Sequence, residues 1–201
     1  PVTMKEHIAH LTITKSVQED AVPGLLTKIN DRLAEALERK IDADILNCLQ
    51  NTTGFGALAG TLTEAGKMAA TVIAKALGSI RAGTYEPYAL IIHTTQEASL
   101  LQDSAFVDAA KYGNREVIQS GRVYDYLGLM IIPTVLAPST GGTYSAFLIA
   151  QDAIKLAGKR NETVETDYDP TKRTTNVVTT NRYGTAIAQP KGVFTILTVA
   201  G

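Results

Sequence analysis

The sequence predicts an α+β fold organised around one long spine helix, with an α/β middle and a charged β-ribbon after it. Three observations carry that expectation. From Leu25 to Leu49 an apolar residue recurs at every fourth position, the spacing of a helix face that slowly winds about its axis. Residues 159–188 are dominated by charge and threonine, as in a long two-stranded ribbon open to solvent. Between them, residues 63–150 alternate amphipathic helical stretches with β-branched runs.

In chain order, residues 8–17, IAHLTITKSV, have the alternation and β-branched content of a strand. The spine helix follows at 23–49. Pro23 fits a first helical turn, where its missing N–H costs nothing, and Asp20 stands at the positive end of the helix. The helix is roughly 40 Å long, and its apolar row winds through Leu25, Ile29, Leu33, Leu37, Ile41, Ile45 and Leu49. It therefore meets different partners along its length. Residues 51–61, NTTGFGALAGT, form a loop by their glycine and threonine content. Residues 63–82 form a helix capped by Thr63, with Glu64 in the first turn and Met68, Val72, Ile73, Ala76, Leu77 and Ile80 on one face. A buried strand at 88–93, a short helix at 95–104 and a loop or broken helix over 105–120 come next. LGLMIIPTVLA reads as a buried strand that PSTGG turns into a second, TYSAFLIA. After the ribbon, GVFTILTVA is a final strand, and no internal repeat or low-complexity tract interrupts the chain.

Composition narrows the function. The 201 residues suffice for one large domain or two small ones. With 19 Lys and Arg against 20 Asp and Glu, the formal charge is −1, so no basic field grips nucleic-acid phosphates and sequence-specific DNA binding is not expected. No run approaches the ~18 apolar residues that cross a bilayer, and PVTMKEHIAH has no signal-peptide pattern, so neither a membrane partner nor secretion is expected. The single Cys48 excludes an internal disulfide and a multi-cysteine zinc site. Pro1 in place of an initiator methionine predicts a processed product or a fragment.

Each candidate for chemistry has a plainer explanation. His7 and His10 have helical metal-ligand spacing, but an extended chain puts their rings on opposite faces. GFGALAG at 54–60 has the glycines of a dinucleotide loop, yet it follows a helix where that loop follows a strand. Nothing matches G-x-S-x-G, and Cys48 sits within the spine helix as a packed side chain. Asp167 and Asp169 could pair as carboxylates, but Lys159, Arg160, Lys172 and Arg173 beside them point to salt bridges within or between chains. No acid, base, nucleophile or ligand cluster emerges, so no cofactor or metal is expected and a structural or binding role is favoured over an enzyme.

Three stretches carry a family resemblance. VPGLLTKINDRLAEALERKIDADIL, after the acidic lead VQEDA, resembles the spine helix of the tailed-phage major capsid protein, the Hong Kong 97-like fold. GRVYDYLGLMIIPTVLAP resembles that family's passage of glycine, hydrophobic, tyrosine or leucine, glycine and apolar strand. AFLIAQDAIKLAGKRNETVETDYDPTKRTTNVVTTNRYGTAIAQPKGVFTIL is similar to its ending, a long ribbon before a last strand that begins near Pro-Lys-Gly. The order of the three covers essentially the whole chain. One departure stands out: about twenty residues precede the spine, where the family carries an N-terminal arm and an extended loop, and 8–17 resembles that loop's returning arm.

The resemblance implies a peripheral domain at 1–51 and 160–185 (strand, spine helix and ribbon) and an axial domain at 52–159 and 186–201. It implies hexamers and pentamers of identical copies tiling an icosahedral shell around packaged double-stranded DNA, assembled in the host cytoplasm and located in the virion. Scaffold, portal or decoration proteins are the further partners such a shell takes. Clustered charge and tyrosine mark Arg115, Glu116, Arg122, Tyr124 and Tyr126 as subunit contacts near the symmetry axes, and Asp167, Asp169, Lys172 and Arg173 as contacts between peripheral domains. Two other readings remain open: an encapsulin-like cellular shell, and a small α/β nucleotide-binding enzyme using the loop at 54–60.

Overall fold

The computed structural model describes residues 2–20, 24–50, 58–104 and 125–199. The chain divides into two compact units, residues 1–45 with 156–186 (unit 1) and residues 46–155 with 187–201 (unit 2).

Unit 1 carries a three-stranded sheet in the order β1-β9-β8, where β1 is Lys5–Thr14, β8 is Ile154–Asp169 and β9 is Thr174–Ile187. The strands β8 and β9 connect through residues 170–173, a link too short for anything but an antiparallel pair. The expected two-stranded ribbon is therefore three-stranded, because β1 runs antiparallel along β9 from Lys5 opposite Tyr183 to Thr14 opposite Thr174. The strand expected to reach residue 17 ends at Thr14. Lys15–Asp20 is a short helix, α1, and its Lys15 N–H donates to the Arg173 carbonyl at 2.9 Å. The acidic lead expected just before the spine thus lies in α1. The register puts Ile13, Val177, Thr179 and Tyr183 on one face, where all four are buried, while Ile8, His10 and Thr12 on the other face are exposed.

The spine is α2, Leu25–Gln50. Gly24 precedes it with φ +93°, a backbone angle that glycine adopts without strain; Pro23 lies outside the described residues. The winding row is buried at Leu37 and Leu49 and half-buried at Ile29, Leu33, Ile41 and Ile45, while Leu46 beside it is also buried. The boundary between units falls inside the helix, between Ile45 and Leu46.

Unit 2 is built on a seven-stranded sheet in the order β2-β10-β7-β3-β5-β4, with β6 pairing β7 off that path. The strands are β2 Gly60–Thr63, β3 Pro87–His93, β4 Asp125–Tyr126, β5 Leu129–Thr134, β6 Ser139–Thr140, β7 Thr143–Ala150 and β10 Val193–Val199. Two helices, α3 (Ala70–Ala82) and α4 (Thr94–Gln102), complete the unit. Leu90, Ile92, Ile131, Leu148, Phe194 and Ile196 of the sheet join Val72, Ile73, Ala76 and Ile80 of α3 and Leu100 of α4 in one core. Each fully buried Leu or Ile there contributes about 1.5–3 kcal/mol.

Two local expectations are overturned in this unit. The helix expected over 63–82 starts only at Ala70, because Gly60–Thr63 pairs parallel with β10 and the Glu64 N–H donates to the Leu197 carbonyl at 2.9 Å. Thr63 caps nothing. The Asp103 carboxylate, thirty-three residues away, instead accepts the Ala70 N–H at 2.8 Å. Similarly, LGLMIIPTVLA and TYSAFLIA are not a hairpin pair, since β3 lies between β5 and β7 and runs parallel to β5. The two turns are tighter: Leu127 and Gly128 join β4 to β5, and Gly141 and Gly142 join β6 to β7, all four with positive φ. Strand β5 is one-sided, with Leu129 and Ile131 buried but Met130 and Ile132 43% and 40% exposed.

Candidate assembly surfaces

Within unit 1 a polar cluster fastens the spine to the sheet. The Asp44 carboxylate on α2 accepts hydrogen bonds from the Tyr183 hydroxyl of β9 at 2.8 Å and the Lys40 ammonium at 2.7 Å. The His7 ring of β1 stacks on Tyr183 with centroids 4.7 Å apart, and its Nε2 lies 3.3 Å from Asp44 Oδ2. Burial raises the Asp44 pKa, but the bonds from Lys40 and Tyr183 and the charges of Lys40 and His7 outweigh it, leaving the carboxyl below its ordinary range. Burial, then the bond to Asp44 and its charge, push the Tyr183 phenol up. Tyr183 thus acts as a fixed neutral donor. No local motif announces this cluster, because its members come from β1, α2 and β9.

The connection between β8 and β9 gathers the predicted peripheral residues. Asp169 accepts the Thr171 hydroxyl, the Thr171 N–H at 2.9 Å and the Lys172 N–H at 3.4 Å. The Thr171 hydroxyl foremost, against a smaller opposing effect of burial and helped by the two N–H groups and the Lys172 charge, holds its pKa below the usual range. Asp169 therefore shapes its own turn. Arg173 has φ +52°, and together with Lys172, Thr14, Lys15, Ser16 and Glu19 it lines a shallow hollow of about 280 Å³. Lys172 and Arg173 are exposed and make no salt bridge among the described residues, and the same holds for Asp167 on β8. Arg160 does find a partner, Glu6 of β1, at 2.9 Å. Sequence reasoning named Lys172 and Arg173 but missed Lys15 and Ser16, which only the pairing of β1 with β9 brings beside them.

Of the residues expected near the symmetry axes, Arg115, Glu116, Arg122 and Tyr124 lie outside the described residues. Tyr126 is half-buried in β4, where its ring packs on the core of unit 2. Burial, and then the Asp103 charge, raise its pKa. The loop at 54–60 is described only over residues 58–60: a side chain at Gly60 would meet the Phe194 ring at 2.7 Å, so packing explains that glycine. His7 and His10 point to different partners, His10 Nε2 lying 3.1 Å from the Thr12 hydroxyl.

The described residues of unit 1 thus present a long spine helix, a ribbon exposed along its outer strand and a turn carrying two exposed cations. The chain belongs to the phage capsid protein family, whose model matches residues 9–196. No curated protein matches the sequence. Among solved structures it is similar to the acid-stable capsid of Helicobacter pylori bacteriophage KHP30, at 14% identity and TM-score 0.81, covering 98% of this chain and 75% of that one. It is similar to the capsid of Ralstonia phage GP4, at 14% identity and TM-score 0.76, covering 100% and 74%. It also resembles the SrpI encapsulin of Synechococcus elongatus, at 11% identity and TM-score 0.69, covering 96% and 73%. The fold is the Hong Kong 97-like capsid fold, and the chain is a structural major capsid protein that self-assembles into a shell.

Proposed function

We propose that copies of this chain assemble through hexamers and pentamers into an icosahedral shell that encloses double-stranded DNA without reading its sequence. The family match across residues 9–196 carries this reading. The near-zero net charge supports it, because many copies can pack without strong mutual repulsion. In this reading unit 1 is the peripheral domain and unit 2 the axial domain. Lys172, Arg173 and Asp167 meet neighbouring peripheral domains, with Asp169 holding the turn that presents them. Arg115, Glu116, Arg122 and Tyr124, with Tyr126 at the base of the same segment, contact subunits around the axes. The shell forms in the host cytoplasm, takes scaffold, portal or decoration proteins as further partners, and catalyses no reaction.

Electron microscopy of the purified protein tests this directly: shells or capsomer rings are expected, and small discrete particles alone would overturn it. Reversing Lys172 and Arg173 to glutamate, or Arg115 and Arg122 likewise, should abolish assembly without changing the unfolding transition of the subunit. The likeness to the SrpI encapsulin favours a second reading, a cellular shell around a protein cargo. A neighbouring terminase or portal gene decides for the virus.

A further inference from the structure

The longest of the described strands, β8, is an edge strand, and the charges along it are sorted. β8 lies at one side of the β1-β9-β8 sheet, so one row of its backbone N–H and C=O groups has no neighbouring strand among the described residues. Every residue from Gly158 to Tyr168 is exposed, on both faces of the strand. A long open edge of this kind is a ready template for another strand. Its first half, IKLAGKR, carries only basic charges, Lys155, Lys159 and Arg160, while its second half, NETVETDYD, carries only acidic ones, led by Glu162, Glu165 and Asp167. A strand charged in this way is complementary to itself when reversed.

We propose that β8 pairs antiparallel with β8 of a second copy of this chain across a two-fold axis, joining two three-stranded sheets into one. The proposal rests on the self-assembly reading above and names the contact by which two subunits meet. Placing Asn161 on the axis sets Arg160 opposite Glu162 and Lys155 opposite Asp167, with Lys159 diagonal to Glu165. No like charges face one another in this register. Moving the axis to Glu162 sets that carboxylate against its own copy, so charge selects the first register over its neighbour. Lys159, Glu162, Glu165 and Asp167 make no salt bridge among the described residues and are free for a partner. Lys155 pairs with Asp152 and Arg160 with Glu6, but all four side chains are at least 43% exposed and these pairs can be shared or exchanged. Threonines on the strand and the exposed Val164 complete a surface suited to a protein strand.

Charge reversal in two complementary sets tests this. Lys159→Glu with Arg160→Glu makes β8 wholly acidic beyond Leu156, and Glu162→Lys with Glu165→Lys makes it predominantly basic. Each variant alone should lose assembly in electron micrographs and light scattering. An equimolar mixture of the two, and a single chain carrying all four substitutions, should recover it. The pairing is overturned if each variant assembles like the wild type, or if neither the mixture nor the four-fold variant recovers. Cross-linking provides an independent readout, using Asn161→Cys in a Cys48→Ser background. On oxidation it should give a disulfide dimer, whereas Thr163→Cys in the same background, too far from its copy for a disulfide, should stay monomeric. Absence of the Asn161→Cys dimer, or equal dimer from Thr163→Cys, overturns the register. If the wild type forms no shell, the shell reading fails while the cross-link still decides the pairing; if the wild type forms shells and no dimer appears, only the pairing fails.

Discussion

In unit 2, Leu90, Ile92, Leu148 and Ile196 are fully buried in one core with helices α3 and α4, whereas in unit 1 the whole of β8 from Gly158 to Tyr168 is exposed. In the unit 1 sheet Ile13, Val177, Thr179 and Tyr183 are buried on one face, and the spine is fastened there by a hydrogen-bonded carboxylate, Asp44. Unit 2 is stabilised by area removed from water. Unit 1 adds polar ties to its ladder hydrogen bonds, and its outer strand and turn are exposed. The difference teaches where to look for stability and where for assembly.

Substitutions can break or sharpen that contrast. The largest expected effect is in unit 2: Phe147→Ala removes a ring that is 1% exposed and should cost about 3–5 kcal/mol, read as a fall in the denaturant midpoint. Gly60→Ala drives a methyl to within 2.7 Å of the Phe194 ring and should cost about 1–3 kcal/mol in the same measurement. In unit 1, Tyr183→Phe deletes the hydroxyl that donates to Asp44 but leaves Lys40 on the partly exposed carboxylate, so a loss of only about 1 kcal/mol is expected. A loss as large as that of Phe147→Ala would mean that unit 1 depends on this tie as unit 2 depends on its core. Thr179 is 0% exposed and its Oγ1 has no hydrogen-bond partner among the described residues, so Thr179→Val should be neutral or stabilise by up to about 1 kcal/mol.

The smallest effect is a pH slope. His93 accepts the Thr95 N–H at 3.1 Å through Nδ1 as the cap of α4, and burial lowers its pKa below 6.5. The unfolded chain takes up the proton first as pH falls, so this contribution is whole above the unfolded pKa and is lost as pH drops through the folded one. Asn also caps a helix but does not titrate, so His93→Asn should flatten the fall in Tm between about pH 7.5 and pH 5.

Much of this was legible in the residues themselves. The four-residue apolar row placed the spine within two residues at its start and one at its end, and β-branched runs found β3, β7 and β10. The charge and threonine content of the ribbon was visible too. What escaped was long-range. Thr63 and Glu64 have the local chemistry of a helix start, but Gly60–Thr63 pairs with β10 and the Ala70 N–H is met by Asp103. The third ribbon strand was hidden because β1 and β9 lie at opposite ends of the sequence. Lys15 and Ser16 reached the charged turn by the same pairing, and the His7, Asp44 and Tyr183 cluster joined three separate elements.

The sequence by itself determined the α+β class, the spine helix, the exposed ribbon and the lack of a field for nucleic acid, because periodicity, charge and turn chemistry are local properties read one segment at a time. Only the tertiary structure decided which strand lies beside which. Backbone hydrogen-bonding groups must find partners wherever the chain supplies them, whatever the separation in sequence. That choice put β3 between β5 and β7, β1 on β9, and left β8 as the outer strand of its sheet among the described residues.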